Sequence, residues 1–115
     1  MTQQTNPNGL REQFLASLPQ KQTQMQKQTQ MRQHIQRYIF PTAQVLLCEL
    51  TEHSCKIELA VPYTHEHLIW PAIPLLDNYG YELLNEDVLD MTVIHGHQPA
   101  DDLNGSIWTI TFNHD

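Results

Sequence analysis

The sequence predicts an α+β fold: a two-layer sandwich whose mainly antiparallel sheet of about five strands carries N-terminal helices and one broken helix between strands. Three observations lead there. Helical spacing of apolar residues marks the region before Pro41, strict alternation of apolar and polar residues marks Cys55 to Val61, and short β-rich runs recur after that with turn residues between them. With 115 residues and 40% apolar content the chain suits a single domain with a modest core.

The elements follow in chain order. Residues 1–6 have the polar composition of a disordered N-terminus. Asn6-Pro7 then supplies an N-cap with proline in the first helical position, and Leu10, Phe14, Leu15 and Leu18 form the apolar face of a short helix that Pro19 closes. Gln20 to Gln30 is almost wholly Gln, Thr and Lys. Because glutamine and lysine are good helix formers and no glycine intervenes, a second helix is expected to run to about Tyr38, its glutamines facing solvent. Met31, Ile35, Tyr38 and Ile39 anchor its last turns, and Phe40-Pro41 ends it, since the residue before proline avoids the α region. Residues 7–40 thus form a mildly basic, Gln-rich helical arm, and residues 41–115 an acidic body.

In the body, Val45 to Leu50 and Cys55 to Val61 read as a β-hairpin, with Ile57, Leu59 and Val61 on its inward face. Thr64 to Asn78 has the apolar content of a buried helix, which Pro71 and Pro74 are expected to break and Gly80 to close. Strands are expected at Tyr81 to Leu84, Val88 to His95 and Ile107 to Asn113, with Asn104-Gly105 as a tight turn. Cys48 and Cys55 are expected as buried free thiols, a cross-strand disulfide being the other arrangement their spacing allows.

Charge is the most informative global property. Residues 1–40 carry five cations against Glu12, a net of +4, whereas residues 41–115 carry Lys56 against twelve carboxylates, a net of −11. One lysine cannot neutralise such a body internally, so its carboxylates repel one another or face something positive. The candidate partner-binding residues are Glu49, Glu52, Glu58, Glu82, Glu86, Asp87, Asp90, Asp101 and Asp102. They point to a non-enzymatic protein that masks the basic surface of a partner, such as a histone-like or other DNA-binding protein, by presenting carboxylates where the partner expects phosphates. Direct nucleic-acid binding is not expected, since only the N-terminal arm is basic.

Two other readings come from different chemistry. His65 with His67 and His95 with His97 are His-x-His pairs, a spacing that offers two imidazoles to one metal ion when the segment is a strand. A small enzyme is the third reading, but the serines and cysteines occur in no nucleophile motif, and the four glycines are isolated rather than grouped in a phosphate-binding loop. No cofactor is expected. With neither a secretory leader nor a membrane-spanning apolar run, the expected setting is the cytoplasm, as a monomer or homodimer.

Overall fold

The computed structural model describes residues 20–100 and 104–114; the expected N-terminal disorder and first helix, together with Asp101, Asp102 and Asp115, lie outside them. Helix α1, Gln20–His34, continues into a single π turn, Ile35–Ile39. The Phe40 N–H closes that turn on the Ile35 carbonyl at 2.8 Å, a bond spanning five residues where an α-helix would span four. Phe40 then leaves helical geometry (φ −126°, ψ 64°), as the following Pro41 requires.

Four antiparallel strands follow the order β1-β2-β4-β3: β1 Gln44–Leu50, β2 Ser54–Pro62, β3 Val88–Ala100 and β4 Gly105–His114. The expected β1–β2 hairpin is present. Its turn is held by the Thr51 N–H donating to the Ser54 carbonyl at 2.8 Å and by the Ser54 N–H donating to Thr51 Oγ1 at 3.0 Å. Alternation along β2 sends Cys55, Ile57, Leu59 and Val61 into the core and leaves Lys56 and Glu58 on the opposite face. Cys48 and Cys55 are buried free thiols.

The segment between β2 and β3 departs from expectation. Tyr63–Leu68 is a 3₁₀ turn, and Ile69–Leu84 is one continuous helix, α2. Pro71 falls in the first turn, where no N–H is required, and Pro74 costs a single internal hydrogen bond. Burying Ile69, Ala72, Leu76, Gly80 and Leu84 along one face outweighs that loss. Gly80 therefore does not end the helix. It lies inside because a side chain there would meet the core: an added Cβ would come 2.8 Å from Val88 Cγ2. Asn85 is the actual stop, in left-handed geometry (φ 56°, ψ 35°) with its N–H bonded to the Tyr81 carbonyl at 2.8 Å. Residues 81–84 consequently belong to the helix, and the sheet of the described residues has four strands where about five were expected.

One core joins these parts. Met31, Ile35 and Ile39 from α1 and its π turn, and Ile69 and Leu76 from α2, pack with Ile57, Leu59, Trp108, Ile110 and Phe112 from the sheet. The His34 and Tyr79 rings stack at 3.7 Å and tie the two helices together. Among the described residues no helix is long and apolar enough to cross a membrane.

Candidate functional site

Topology gathers carboxylates at one end of the sheet. Ser54 pairs with Asn113 and Val88 with His114, so the β1–β2 turn, the α2–β3 connection and the end of β4 meet there. Glu52 comes from the first of these, Glu86 and Asp87 from the second, and Glu82 from the last turn of α2. Asp90 follows within β3, at a bulge where it takes positive φ (51°) and accepts a long hydrogen bond, 3.5 Å, from the Asn113 amide. Glu49 lies near this end too, paired across the hairpin with Lys56. Glu58 lies one register step farther along the face turned away from the core, where Lys56 reaches it at 3.8 Å.

His114 pins this end together. Its N–H donates to the His53 carbonyl at 2.9 Å, Nε2 donates to the Thr51 carbonyl at 3.0 Å, and Nδ1 stands 3.4 Å from the Glu86 carboxylate. Of Glu52, Glu82, Glu86, Asp87 and Asp90, only Glu86 lies within ion-pair distance of a basic side chain among the described residues, the His114 imidazole. Glu52, Glu82, Asp87 and Asp90 are exposed. Lys27 of α1 shares a small cleft, about 90 Å³, with Glu52 and Glu86 but forms no ion pair among the described residues.

The opposite end of the sheet holds a polar cluster that the sequence did not disclose. Glu66, from the 3₁₀ turn, lies 2.8 Å from His95 Nε2, accepts from Ser106 Oγ at 2.7 Å and from the Trp108 indole N–H at 3.3 Å. His95 Nε2 is also 2.7 Å from Ser106 Oγ, and its ring stacks on Trp108 at 4.4 Å. Glu66, Ser106 and His95 have the composition of a hydrolytic triad but not its geometry. Both the carboxylate and the hydroxyl meet the same imidazole nitrogen, whereas a triad sets them on opposite nitrogens. Nε2 must carry hydrogen to donate to Glu66, so it does not serve as the base that takes the serine proton. The cluster therefore ties the 3₁₀ turn to β3 and β4. Its one legible signal was the alternation of the last strand, whose inward face extends from Trp108 back to Ser106; Glu66 fell in the helix expected from Thr64 and comes instead from the 3₁₀ turn.

The remaining histidines diverge. His65 and His67 lie in the 3₁₀ turn, where residues two apart point about 240° from each other, and His65 Nδ1 is paired with Thr64 Oγ1 at 3.1 Å. The His97 side chain lies outside the described part. Among the described residues no three His, Cys, Asp or Glu side chains come together as a metal site.

A third feature lies along β1, the sheet edge. Gln24, Gln28, Arg32 and Gln36, each four residues from the next, form one stripe of α1 and its π turn facing the strand backbone. Gln24 donates to the Leu50 carbonyl at 3.0 Å, and Gln28 accepts the Leu50 N–H at 2.8 Å. Arg32 donates to the Val45 carbonyl at 3.0 Å; Gln36 accepts the Val45 N–H at 3.0 Å and donates to the Ala43 carbonyl at 2.7 Å. The expected solvent-facing glutamine surface is thus, on this side, a seam that satisfies the edge backbone. Between helix and strand the seam leaves a cleft of about 360 Å³ lined by Arg32, Arg37, Gln33 and Cys48 among others. Hydrogen bonding with Cys55 holds the Cys48 thiol below its ordinary range against the opposing effect of burial, and the Arg32 guanidinium adds to the lowering. The same bond, with burial, pushes the Cys55 thiol up.

Comparison with protein-family models, curated proteins and solved structures finds no match for this chain.

Proposed function

We propose that the chain is a non-enzymatic acidic interaction protein that masks the basic surface of a partner protein, the partner being a histone-like or other DNA-binding protein. One observation carries this reading: Glu52, Glu82, Asp87 and Asp90 lie exposed around one end of the sheet without a Lys or Arg ion pair among the described residues. Unneutralised like charges held together by a fold cost stability, and a cationic partner converts that cost into attraction and faster encounter. His114 ties the β1–β2 turn, which carries Glu52, to Glu86 in the α2–β3 connection beside Asp87, so these charges sit on connected elements rather than on a free tail. On this reading the protein competes with nucleic acid for its partner as a DNA mimic does, works in the cytoplasm, and acts as a monomer or homodimer through its two-layer α+β body.

The test is competition. A small basic DNA-binding protein is titrated with the chain in the presence of labelled duplex DNA, at low and at high salt. Displacement of DNA that weakens steeply with salt, and that is lost when Glu82, Asp87 and Asp90 are replaced by their amides, supports the proposal. Displacement indifferent to both changes, or no displacement at low salt, removes it.

A further inference from the structure

The helical arm carries a second polar feature, opposite in sign to the acidic end. Arg32 and Arg37 line the same cleft between α1 and β1, and among the described residues lining it none is a carboxylate. Neither arginine has an ion pair among the described residues. Two guanidiniums that share one cleft with no carboxylate among its described lining are a specific arrangement.

The helix geometry accounts for their meeting. Residues five apart on an α-helix diverge by about 140°, which would turn Arg37 away from the edge that Arg32 contacts. The π turn over Ile35–Ile39, with its five-residue hydrogen bond from Phe40 to Ile35, winds more slowly and brings position 37 back toward position 32. Such turns are rare and cluster at functional sites. The seam fixes the rest of the wall. Gln36 is committed to Val45 and Ala43, and Gln28 spends its carbonyl oxygen on Leu50, which leaves the Gln28 amide N–H groups as donors. Arg32 gives one nitrogen to the Val45 carbonyl and keeps its others. The cleft is therefore rich in donors, with the volume of a small-molecule site.

We infer that this cleft binds a small organic anion, its carboxylate or phosphate group held between Arg32 and Arg37 and its body lying against Cys48 and the β1 edge. Planar guanidiniums favour such oxyanions over chloride because they donate two parallel hydrogen bonds to them. The inference rests on residues other than those of the acidic end, whose own cleft is lined by Gln24, Lys27, Leu50, Glu52 and Glu86 among others.

Calorimetric titration of the full chain with inorganic phosphate, and separately with a short dicarboxylate, tests it and tells the two anion classes apart. Saturable one-to-one binding of either is expected, with Arg37→Gln weakening it on the order of tenfold and Arg37→Lys weakening it less. Arg37 is exposed and makes no hydrogen bond in the seam, so its substitution leaves the thermal melt in place; Arg32→Gln, which disturbs the seam, serves as the second variant. Absence of saturable binding for both probes overturns the inference. So does binding that Arg37→Gln and Arg32→Gln leave unchanged.

Discussion

Gln28 meets Leu50 at the edge of the sheet, its side-chain oxygen accepting the Leu50 N–H at 2.8 Å. The Leu50 carbonyl receives the Gln24 amide at 3.0 Å, so a strand with no neighbouring strand on that side among the described residues is paired to side chains instead. Gln28→Leu is expected to lower stability by about 1–2 kcal/mol, and Gln36→Leu, which removes two such bonds, by about 2–3 kcal/mol. Gln26→Leu, on an exposed part of the same helix, should change stability by less than about 0.5 kcal/mol. Urea unfolding midpoints of the three variants check the contrast.

Gly105 faces β2 so closely that a Cβ would lie 1.9 Å from the Val61 carbonyl oxygen. The close atoms are all β2 backbone, of Val61 and Pro62, which has little freedom to yield, and Gly105→Ala should cost about 3 kcal/mol or more. At Gly80 the nearest atom is a Val88 methyl, which can shift, and alanine regains helix propensity there; Gly80→Ala should cost less than about 1.5 kcal/mol. Thermal melts of the pair measure the difference.

Glu66 and Ser106 share one hydrogen-bond network with Trp108 and His95. Ser106→Ala and Glu66→Gln should each destabilise by about 1–2 kcal/mol, and the double variant by less than their sum, with a coupling of about 1 kcal/mol. Additive losses in a double-mutant cycle would count against the network.

The acids at the end of the sheet should betray their mutual repulsion. Asp87→Asn, at an exposed position without an ion pair among the described residues, should raise stability by a few tenths of a kcal/mol at low ionic strength. The gain should disappear at high salt. Melting curves at two salt concentrations decide it.

Cys48 titrates lower than an ordinary thiol because Cys55 hydrogen-bonds to it and Arg32 stands nearby, burial working the other way. Removing either helper disfavours the thiolate, so Cys55→Ala and Arg32→Gln should both move thiolate formation at Cys48 to higher pH, Cys55→Ala by more. Thiolate absorbance followed against pH reads the order.

The parts legible in the sequence were those fixed by local pattern. The alternation from Cys55 to Val61 specified β2 and its buried face, and Phe40-Pro41 marked where the first described helix stops. The parts that escaped depend on contacts distant in the chain. Tyr81 to Leu84 has a strand-like composition, but Leu84 and Gly80 complete a helical face that only the Val88 and Phe112 side chains define. Low apolar content made the glutamine run look solvated, although the four-residue spacing of Gln24, Gln28, Arg32 and Gln36 was present; what it lacked was a partner, and the partner is backbone, which leaves no trace in composition. Of the candidate acids, Glu52, Glu82, Glu86, Asp87 and Asp90 converge, Glu49 and Glu58 lie toward Lys56, and Asp101 and Asp102 fall outside the described residues.

The two outer strands end the sheet by unrelated means. On β1 the backbone is consumed by the amides and guanidinium of α1, and on β3 the ladder is interrupted at the Asp90 bulge and again before Pro99, which has no N–H to offer. A further copy of the chain would find the β1 margin already occupied by side chains of α1, so growth through that edge is checked. Loosening the helix from β1 would expose that margin, and the first sign of failure in such a variant should be polymerisation rather than unfolding.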